Sequence, residues 1–375
     1  MHVNREIQDH IQQNLFKGKV IIIYGARRVG KTTLVKQVLK EYPESKYINC
    51  ELLQYKTALE TTNSEKLKDI IGNNKLMVLD EAQNIRDIGL ILKIMVDTFP
   101  GTQIIATGSS SFDLASKISE ALTGRMRKYT LYPFSVHEVS SEHSFTDLMA
   151  QMDRYLRFGL YPEVYDKSEE DSIEELNELA SNYLYKDVLQ YQNIKKPNLI
   201  IDLLRALALQ IGSEVSIHEL AKLLKQNSHT VLRYIELLEK SFVIFRLRAF
   251  SRNMRNEISK TQKIYFFDLG MRNSLIQNFN PLALRNDTGG LWENFCILER
   301  MKHLENNRKF VNSYFWRTYN QQEIDYIEEY GGMLHVFEFK YSPTKKAAIP
   351  TAFSNSYPEH SFTLITPDNF HQLFK

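Results

Sequence analysis

The sequence predicts an α/β fold built on a parallel sheet, and three observations carry that prediction. Short apolar runs at 19–24, 76–79 and 103–107 read as buried strands, because strands covered on both faces lose the polar alternation of exposed ones. Helical spacing follows the first run, with Leu34, Val35, Val38 and Leu39 on one stripe. Each run then ends in a small or acidic cluster, Gly25 to Thr33, Asp80-Glu81, and Gly108 to Ser111. The carboxyl edge of such a sheet is where its chemistry is placed. A first domain is expected over 1–139.

Composition narrows the class. Of 375 residues, 43% are hydrophobic and 25% charged, which excludes wholesale disorder, a collagen-like fibre and a supercharged nucleic-acid tail. The length accommodates two or three domains, each with its own core. Cys50 and Cys296 stand far apart without metal-ligand spacing, so neither a disulfide scaffold nor a cysteine zinc site is expected. Residues 1–14 lack the apolar core of a signal peptide, and no run approaches the roughly 18 apolar residues of a membrane span. A cytoplasmic protein with no membrane partner is expected.

Beyond Ser140 the strand-like runs give way to helical patterns over 140–197, including an acidic face at Glu169-Glu170-Asp171 with Glu174 and Glu175. Pro197 marks a joint. In 198–284 an apolar helix at 199–209 precedes Ser216-Ile217-His218-Glu219, which has the capping-box form and opens a helix over 217–224. A second helix over 229–240 and strands at 242–245 and 264–267 complete the parts of a winged helix. The last region, 285–375, reads as a helix over 291–304 followed by strands at 313–316, 323–327 and 333–340, the last two joined at Gly331-Gly332.

Gly25-x-x-x-x-Gly30-Lys31-Thr32 fits the phosphate-loop pattern and lies between a strand and a helix, the context that confirms it. Small residues let backbone N–H groups close around phosphate oxygens at a helix N-terminus. Lys31 is expected on the β- and γ-phosphates of ATP and the Thr32 hydroxyl on Mg²⁺, with Arg28 and Thr33 in the same cradle. Asp80 is expected to hold Mg²⁺ through its water shell, and Glu81 to orient or deprotonate the attacking water. Ser109 ends the third strand, either as an ordinary turn residue or as the polar group that related ATPases keep there to sense the γ-phosphate. Arg125 fits two readings: a guanidinium offered to a neighbouring subunit's nucleotide, or a surface or DNA-facing arginine.

The series Gly25-Ala26-Arg27-Arg28-Val29-Gly30-Lys31-Thr32-Thr33, Leu79-Asp80-Glu81-Ala82-Gln83, Thr107-Gly108-Ser109-Ser110, Gly124-Arg125 and Leu131-x-Pro133-Phe134-Ser135 resembles a family of prokaryotic AAA+-type P-loop ATPases. Further matches run through Gly159-Leu160-Tyr161-Pro162-Glu163, Asp268-Leu269-Gly270, Leu291-Trp292-Glu293-Asn294-Phe295 and Glu323-Ile324-Asp325-Tyr326. The resemblance covers nearly the whole chain. It implies a helical lid and winged-helix middle, and a C-terminal α/β domain of the restriction-endonuclease-like, PD-(D/E)XK type.

The C-terminal residues point the same way. Strand alternation puts Glu323 and Asp325 on one face of their strand, and Glu338 and Lys340 on one face of the next. Asp325, Glu338 and Lys340 are therefore expected to converge, the carboxylates holding Mg²⁺ or Mn²⁺ and the lysine positioning or deprotonating water. Glu299 shares a helical stripe with Trp292, Phe295 and Cys296, where a carboxylate needs a partner. The resemblance implies that this glutamate joins the metal site. The alternative is a salt-bridged polar face on a fold kept for binding.

Residues 241–263 carry Arg246, Arg248, Arg252, Arg255, Lys260 and Lys263 against Glu257, and His229, Thr230, Arg233 and Tyr234 begin the second helix. DNA phosphates or a protein partner both fit that surface. Together these features predict an ATP-dependent DNA-processing homo-oligomer, a ring among the options, that couples ATP hydrolysis to a metal-dependent nuclease. Branched DNA such as a Holliday junction is the expected substrate class. A nucleotide-dependent switch or DNA-binding regulator with a silent nuclease-like domain is the alternative.

Overall fold

The computed structural model describes residues 3–108, 118, 120–140, 144–183, 197–251, 261–318, 320–344 and 346–374. They form two units, Met1–Phe134 with Lys240–Phe242, and Ser135–Glu239 with Val243–Lys375. Among the described residues no helix is long and apolar enough to cross a membrane.

The first unit opens with α1 (Ile7–Gln13) and then alternates: β1 (Val20–Tyr24), α2 (Lys31–Lys40), β2 (Ser45–Asn49), α3 (Leu53–Leu59), α4 (Ser64–Ile71), β3 (Leu76–Asp80), α5 (Ile88–Thr98), β4 (Gln103–Gly108) and β5 (Met126–Thr130). The strands pair in parallel in the order β2-β3-β4-β1-β5. The three apolar runs are its centre, buried along their whole length. The edge strands, Ser-Lys-Tyr-Ile-Asn and Met-Arg-Lys-Tyr-Thr, are more polar and partly exposed, as edges are. Ile22, Ile48, Met77, Leu79, Leu92 and Ile104 pack one core beneath the sheet. Because β4 separates β1 from β3, the ends of those two strands stand about 10 Å apart, two strand spacings.

The second unit runs α6 (Val136–Val139), α7 (Phe145–Phe158), α8 (Glu169–Tyr183), α9 (Pro197–Leu209), β6 (Glu214–Val215), α10 (Ile217–Leu223), α11 (Ser228–Lys240), β7 (Ile244–Ala249), β8 (Gln262–Phe266), α12 (Leu269–Leu275), α13 (Thr288–Asn306), β9 (Asn312–Arg317), β10 (Glu323–Tyr330), β11 (Met333–Phe339), α14 (Thr351–Ser356) and β12 (His360–Ile365). One sheet spans it, in the order β12-β11-β10-β9-β7-β8-β6. The division between the two units falls at 134/135, close to the boundary expected near 140, while the regions expected to meet at 285 share this sheet. β7 pairs with β9 through Arg248–Tyr314 and Ala249–Phe315, so the hairpin of 198–284 and the meander of 285–375 are one layer. Phe250, Trp316, Ile324, Ile327, Val336 and Phe353 pack across that junction.

Two of the sequence motifs meet inside this unit. The Asp268 carboxylate caps α12 by accepting the Met271 N–H at 3.0 Å, and accepts the Leu160 N–H at 2.8 Å. Burial pushes its carboxyl up to about 6 against those backbone bonds. Gly270 passes so close to α7 that a Cβ there would lie 2.1 Å from the Phe158 carbonyl oxygen. Backbone cannot yield as a side-chain tip can. Gly270→Ala should therefore destabilise the protein by about 2 kcal/mol or more, as overpacking does. Gly289→Ala, with nothing within 4 Å of its Cβ, should be neutral or stabilise by about 0.5–1 kcal/mol. Urea unfolding of both variants checks the contrast.

Candidate functional site

The loop from Gly25 to Gly30 links β1 to α2 at the carboxyl edge of the first sheet. Gly30 is the N-cap of α2 with φ +95°, a left-handed conformation that costs glycine little. Lys31 is buried and reaches back across the loop, donating to the carbonyl oxygens of Gly25 and Ala26 at 2.8 Å each. Arg5, from before α1, braces the same loop: its guanidinium donates to the Val29 carbonyl at 3.2 Å and to that of Tyr132, and lies 4.7 Å over the Phe134 ring. Arg28 and Thr33 are on the exposed side of the loop and first helical turn.

Asp80 ends β3 with its carboxylate almost wholly buried and surrounded by hydroxyls. Oδ2 accepts from Thr32 Oγ1 at 2.7 Å and from the Tyr47 hydroxyl at 2.5 Å, and Oδ1 accepts from Thr107 Oγ1. Neutral donors satisfy the lone pairs and leave the carboxylate its charge, which suits a cation. Glu81 follows at φ +55°, its N–H on Thr107 Oγ1 at 3.1 Å and its Oε2 accepting from Gln83 at 2.5 Å. Burial beside Asp80 and Glu81 pushes the neighbouring Cys50 thiol up to about 12, which keeps it protonated and no nucleophile.

Thr32, Asp80 and Glu81 are thus brought together, and Tyr47 and Thr107, neither of them an expected site residue, join them. Thr107 carried a weak signal, a polar residue closing an apolar run; Tyr47 carried none, because it sits on a polar edge strand. Ser109 lies outside the described residues. Arg125 precedes β5 at the amino edge of the sheet, opposite the phosphate loop, and its Nε donates to Asp97 Oδ1 at 2.7 Å with both side chains about two-fifths exposed. It is remote from its own chain's loop.

The second group of polar residues lies in the seven-stranded sheet. Asp325 on β10 and Glu338 on β11 converge with Lys340: its ammonium is 2.7 Å from Glu338 Oε1 and 3.5 Å from Asp325 Oδ2. Asp325 Oδ2 also accepts the Phe339 N–H at 2.9 Å. Glu299 does not join them. Its Oε1 accepts from Lys302 at 2.7 Å and its Oε2 from the Val136 N–H at 2.6 Å, so it anchors α6. The carboxylate that α13 contributes is Glu293, about 9 Å back along the axis and on another face of the helix. Among the described residues, Glu293, Glu323 and Asp325 have oxygens all within 4.8 Å of one another.

Lys263 enters this cluster from β8. Its ammonium is 2.7 Å from Glu293 Oε1 and also contacts Glu323 Oε1, and the Tyr265 hydroxyl donates to Glu293 at 2.5 Å. Burial, with the Asp325 charge, pushes the Glu293 carboxyl up to about 7 although Lys263 opposes this. Burial and then Asp325 likewise push Glu338 up. Carboxylate oxygens in this number are hard donors that fit Mg²⁺ or Mn²⁺. Glu293 was legible in the Trp292-Glu293-Asn294-Phe295 motif, whose Asn294 clamps the backbone of Phe266 by accepting its N–H and donating to its carbonyl.

The basic stretch is divided by the fold. Lys263 belongs to the carboxylates, Arg246 pairs with Glu239 at 2.9 Å, and Arg248 is exposed. Arg252, Arg255 and Lys260 lie outside the described residues. On α11, His229 and Arg233 are exposed, whereas Tyr234 is buried and faces the core.

Comparison with known proteins fits this geometry. Residues 17–140 match a family described as an AAA domain, and 149–282 and 288–371 match two domains of unknown function, DUF8612 and DUF4143. The uncharacterized protein Rv2008c of Mycobacterium tuberculosis is 30% identical over 347 residues, covering 91% of this chain and 74% of that protein. The chain belongs to the same family as Rv2008c. The uncharacterized protein MJ1544 of Methanocaldococcus jannaschii is 28% identical over 348 residues, 87% of this chain and 74% of its own length. The Walker-type ATPase PABY2304 of Pyrococcus abyssi shares the fold, with TM-score 0.50 at 16% identity over 73% of this chain and 96% of that one. This member of the Rv2008c family thus carries an AAA-type P-loop ATPase domain.

Removing the groups around Asp80 should have graded effects. Lys31→Ala should abolish ATP binding, and Glu81→Gln should keep binding while lowering kcat about 100-fold or more. Tyr47→Phe should lower kcat about 3- to 10-fold and raise the Mg²⁺ concentration needed for half-maximal rate, since one hydroxyl no longer fixes Asp80. Steady-state ATPase assays with Mg²⁺ titration and nucleotide-binding fluorescence read all three.

Proposed function

We propose that this chain is an ATP-dependent DNA-processing enzyme in which an AAA-type ATPase works with a metal-dependent nuclease site of the PD-(D/E)XK type. The observation that carries the nuclease half is the convergence of Asp325, Glu338 and Lys340 from adjacent strands, with Glu293 reaching them from α13.

In the ATPase unit the N–H groups of 25–33 cradle the phosphates, Lys31 offsets their charge, and Thr32 and Asp80 would hold Mg²⁺. Glu81 orients the attacking water once its carboxylate leaves Gln83. In the second unit Asp325, Glu293 and Glu323 would hold Mg²⁺ or Mn²⁺, with Glu338 beside them. That ion, when bound, neutralises charge on the scissile phosphate and activates water. Lys340 sits where it can position the water or take its proton.

The order α9-β6-α10-α11-β7-β8, with β8 pairing antiparallel to both β7 and β6, supports a winged-helix reading. Exposed His229, Arg233 and Arg248 are its candidate phosphate contacts. Arg125, facing away from its own nucleotide loop, serves in this reading only if a neighbouring subunit presents one, so the active form is a homo-oligomer. A second reading has its own support: Lys263 and Lys340 already neutralise the carboxylates, as in a nucleotide-dependent switch whose nuclease-like site is silent.

Full-length protein with ATP and Mg²⁺ or Mn²⁺ should cleave DNA when offered single-stranded, linear and branched substrates, four-way junctions among them. Asp325→Asn and Lys340→Ala should each abolish cleavage and leave ATP hydrolysis intact. DNA binding and ATPase activity with no cleavage of any substrate would establish the switch instead. Glu299→Gln separates anchoring from chemistry: it should lower the unfolding midpoint, since Lys302 and the Val136 N–H lose a charged acceptor, at a cost of about 1.5–3 kcal/mol. Its residual folded fraction should cleave normally.

A further inference from the structure

We propose that the Lys263 ammonium is the resident cation of the carboxylate cluster, and that a divalent ion binds there only by displacing it. The proposal rests on the metal-site reading above and assigns a residue that sets its affinity. The Lys263 side chain is 1% exposed, whereas that of Lys340 is 29% exposed. It enters from β8, passes the Phe315 ring with Nζ 5.6 Å from the centroid, and ends between Glu293 and Glu323.

Charge counting shows what this does. Glu293, Glu323, Asp325 and Glu338 are four carboxyl groups, and the Lys263 and Lys340 ammonium groups lie among them. Arg317, 3.7 Å from Glu323, is shared with Glu214 at 3.4 Å and adds little to the cluster. Replacing Lys263 by a neutral residue makes the cluster one charge more negative, which favours a divalent ion. The ammonium also contacts oxygens of Glu293 and Glu323, two of the three carboxylates close enough to share an ion. Cation and ammonium thus compete for the same lone pairs, and each repels the other at short range. Lys340 does not substitute, because it reaches Asp325 and Glu338 instead.

The test uses full-length protein without nucleotide, with Mn²⁺ as the probe, followed by the loss of the free-ion EPR signal and by thermal melting. Lys263→Met should bind Mn²⁺ at least tenfold more tightly than wild type and gain more thermal stability from it. Lys263→Arg, which keeps the charge, should bind as weakly as wild type. Adding Asp325→Asn to Lys263→Met should remove the gain, which excludes Mn²⁺ held at the ATPase loop. Should Lys263→Met not fold alone, recovery of its melting transition by Mn²⁺ supports the proposal, and Lys263→Gln is read by the same two measurements. Equal binding by wild type and Lys263→Met, or weaker binding by the variant, overturns the competition while leaving the metal site standing. Absence of Asp325-dependent binding in every variant overturns the metal reading itself.

Discussion

Two parallel residue pairs, Arg248 with Tyr314 and Ala249 with Phe315, decide the character of the second unit. They attach the β7–β8 hairpin to the meander, and the Phe250 N–H extends the junction by donating to Phe315 at 2.6 Å. Alternate residues of β8, Lys263 and Tyr265, are then carried to the face on which Glu293 of α13 lies. Lys263 and Tyr265 reach Glu293 only because of that pairing, and Asn294 fixes the helix against Phe266 from the other side. Without the junction Glu293 would face the carboxylates of β10 without the Lys263 ammonium beside it, which a buried site tolerates poorly.

The two acidic sites solve one electrostatic problem in opposite ways. Asp80 is buried among hydroxyls of Thr32, Tyr47 and Thr107, which satisfy its oxygens and leave its charge available. The cluster around Asp325 is buried among ammonium groups, which cancel charge as they satisfy oxygens. A carboxylate held by neutral donors attracts a cation directly; one held by lysine must first give up a partner. The charge of Asp80 is thus left without a cationic partner among these contacts, whereas Glu293, Glu323, Asp325 and Glu338 each lie beside a lysine.

Several motif residues serve architecture. Asp268 joins α12 to the turn after α7, and Gly270 gives the Phe158 carbonyl the space a side chain would fill. Glu299 ties the middle of α13 to the first N–H of α6. Each meets partners from distant segments, and the two buried carboxylates, Asp268 and Glu299, look in isolation like groups awaiting a ligand.

How much was readable follows from the range of the forces involved. Local pattern determined the three central strands, the glycine loop with Lys31 and Thr32, the acidic end of β3, and the alternation that brings Asp325, Glu338 and Lys340 together. Each depends only on residues adjacent along the chain or across one tight turn. The edge strands β2 and β5 escaped notice because half-exposed strands carry no apolar run, and with β2 went Tyr47. Choosing Glu293 over Glu299 lay beyond periodicity, since both glutamates lie on a helix buried on most sides and only the packing of α6 and β8 shows which faces what. The merging of the hairpin and the meander into one sheet, and with it the placing of Lys263, was decided by tertiary structure alone. Pairing between strands more than sixty residues apart depends on side-chain fit across the layer, and leaves no periodic trace in either segment.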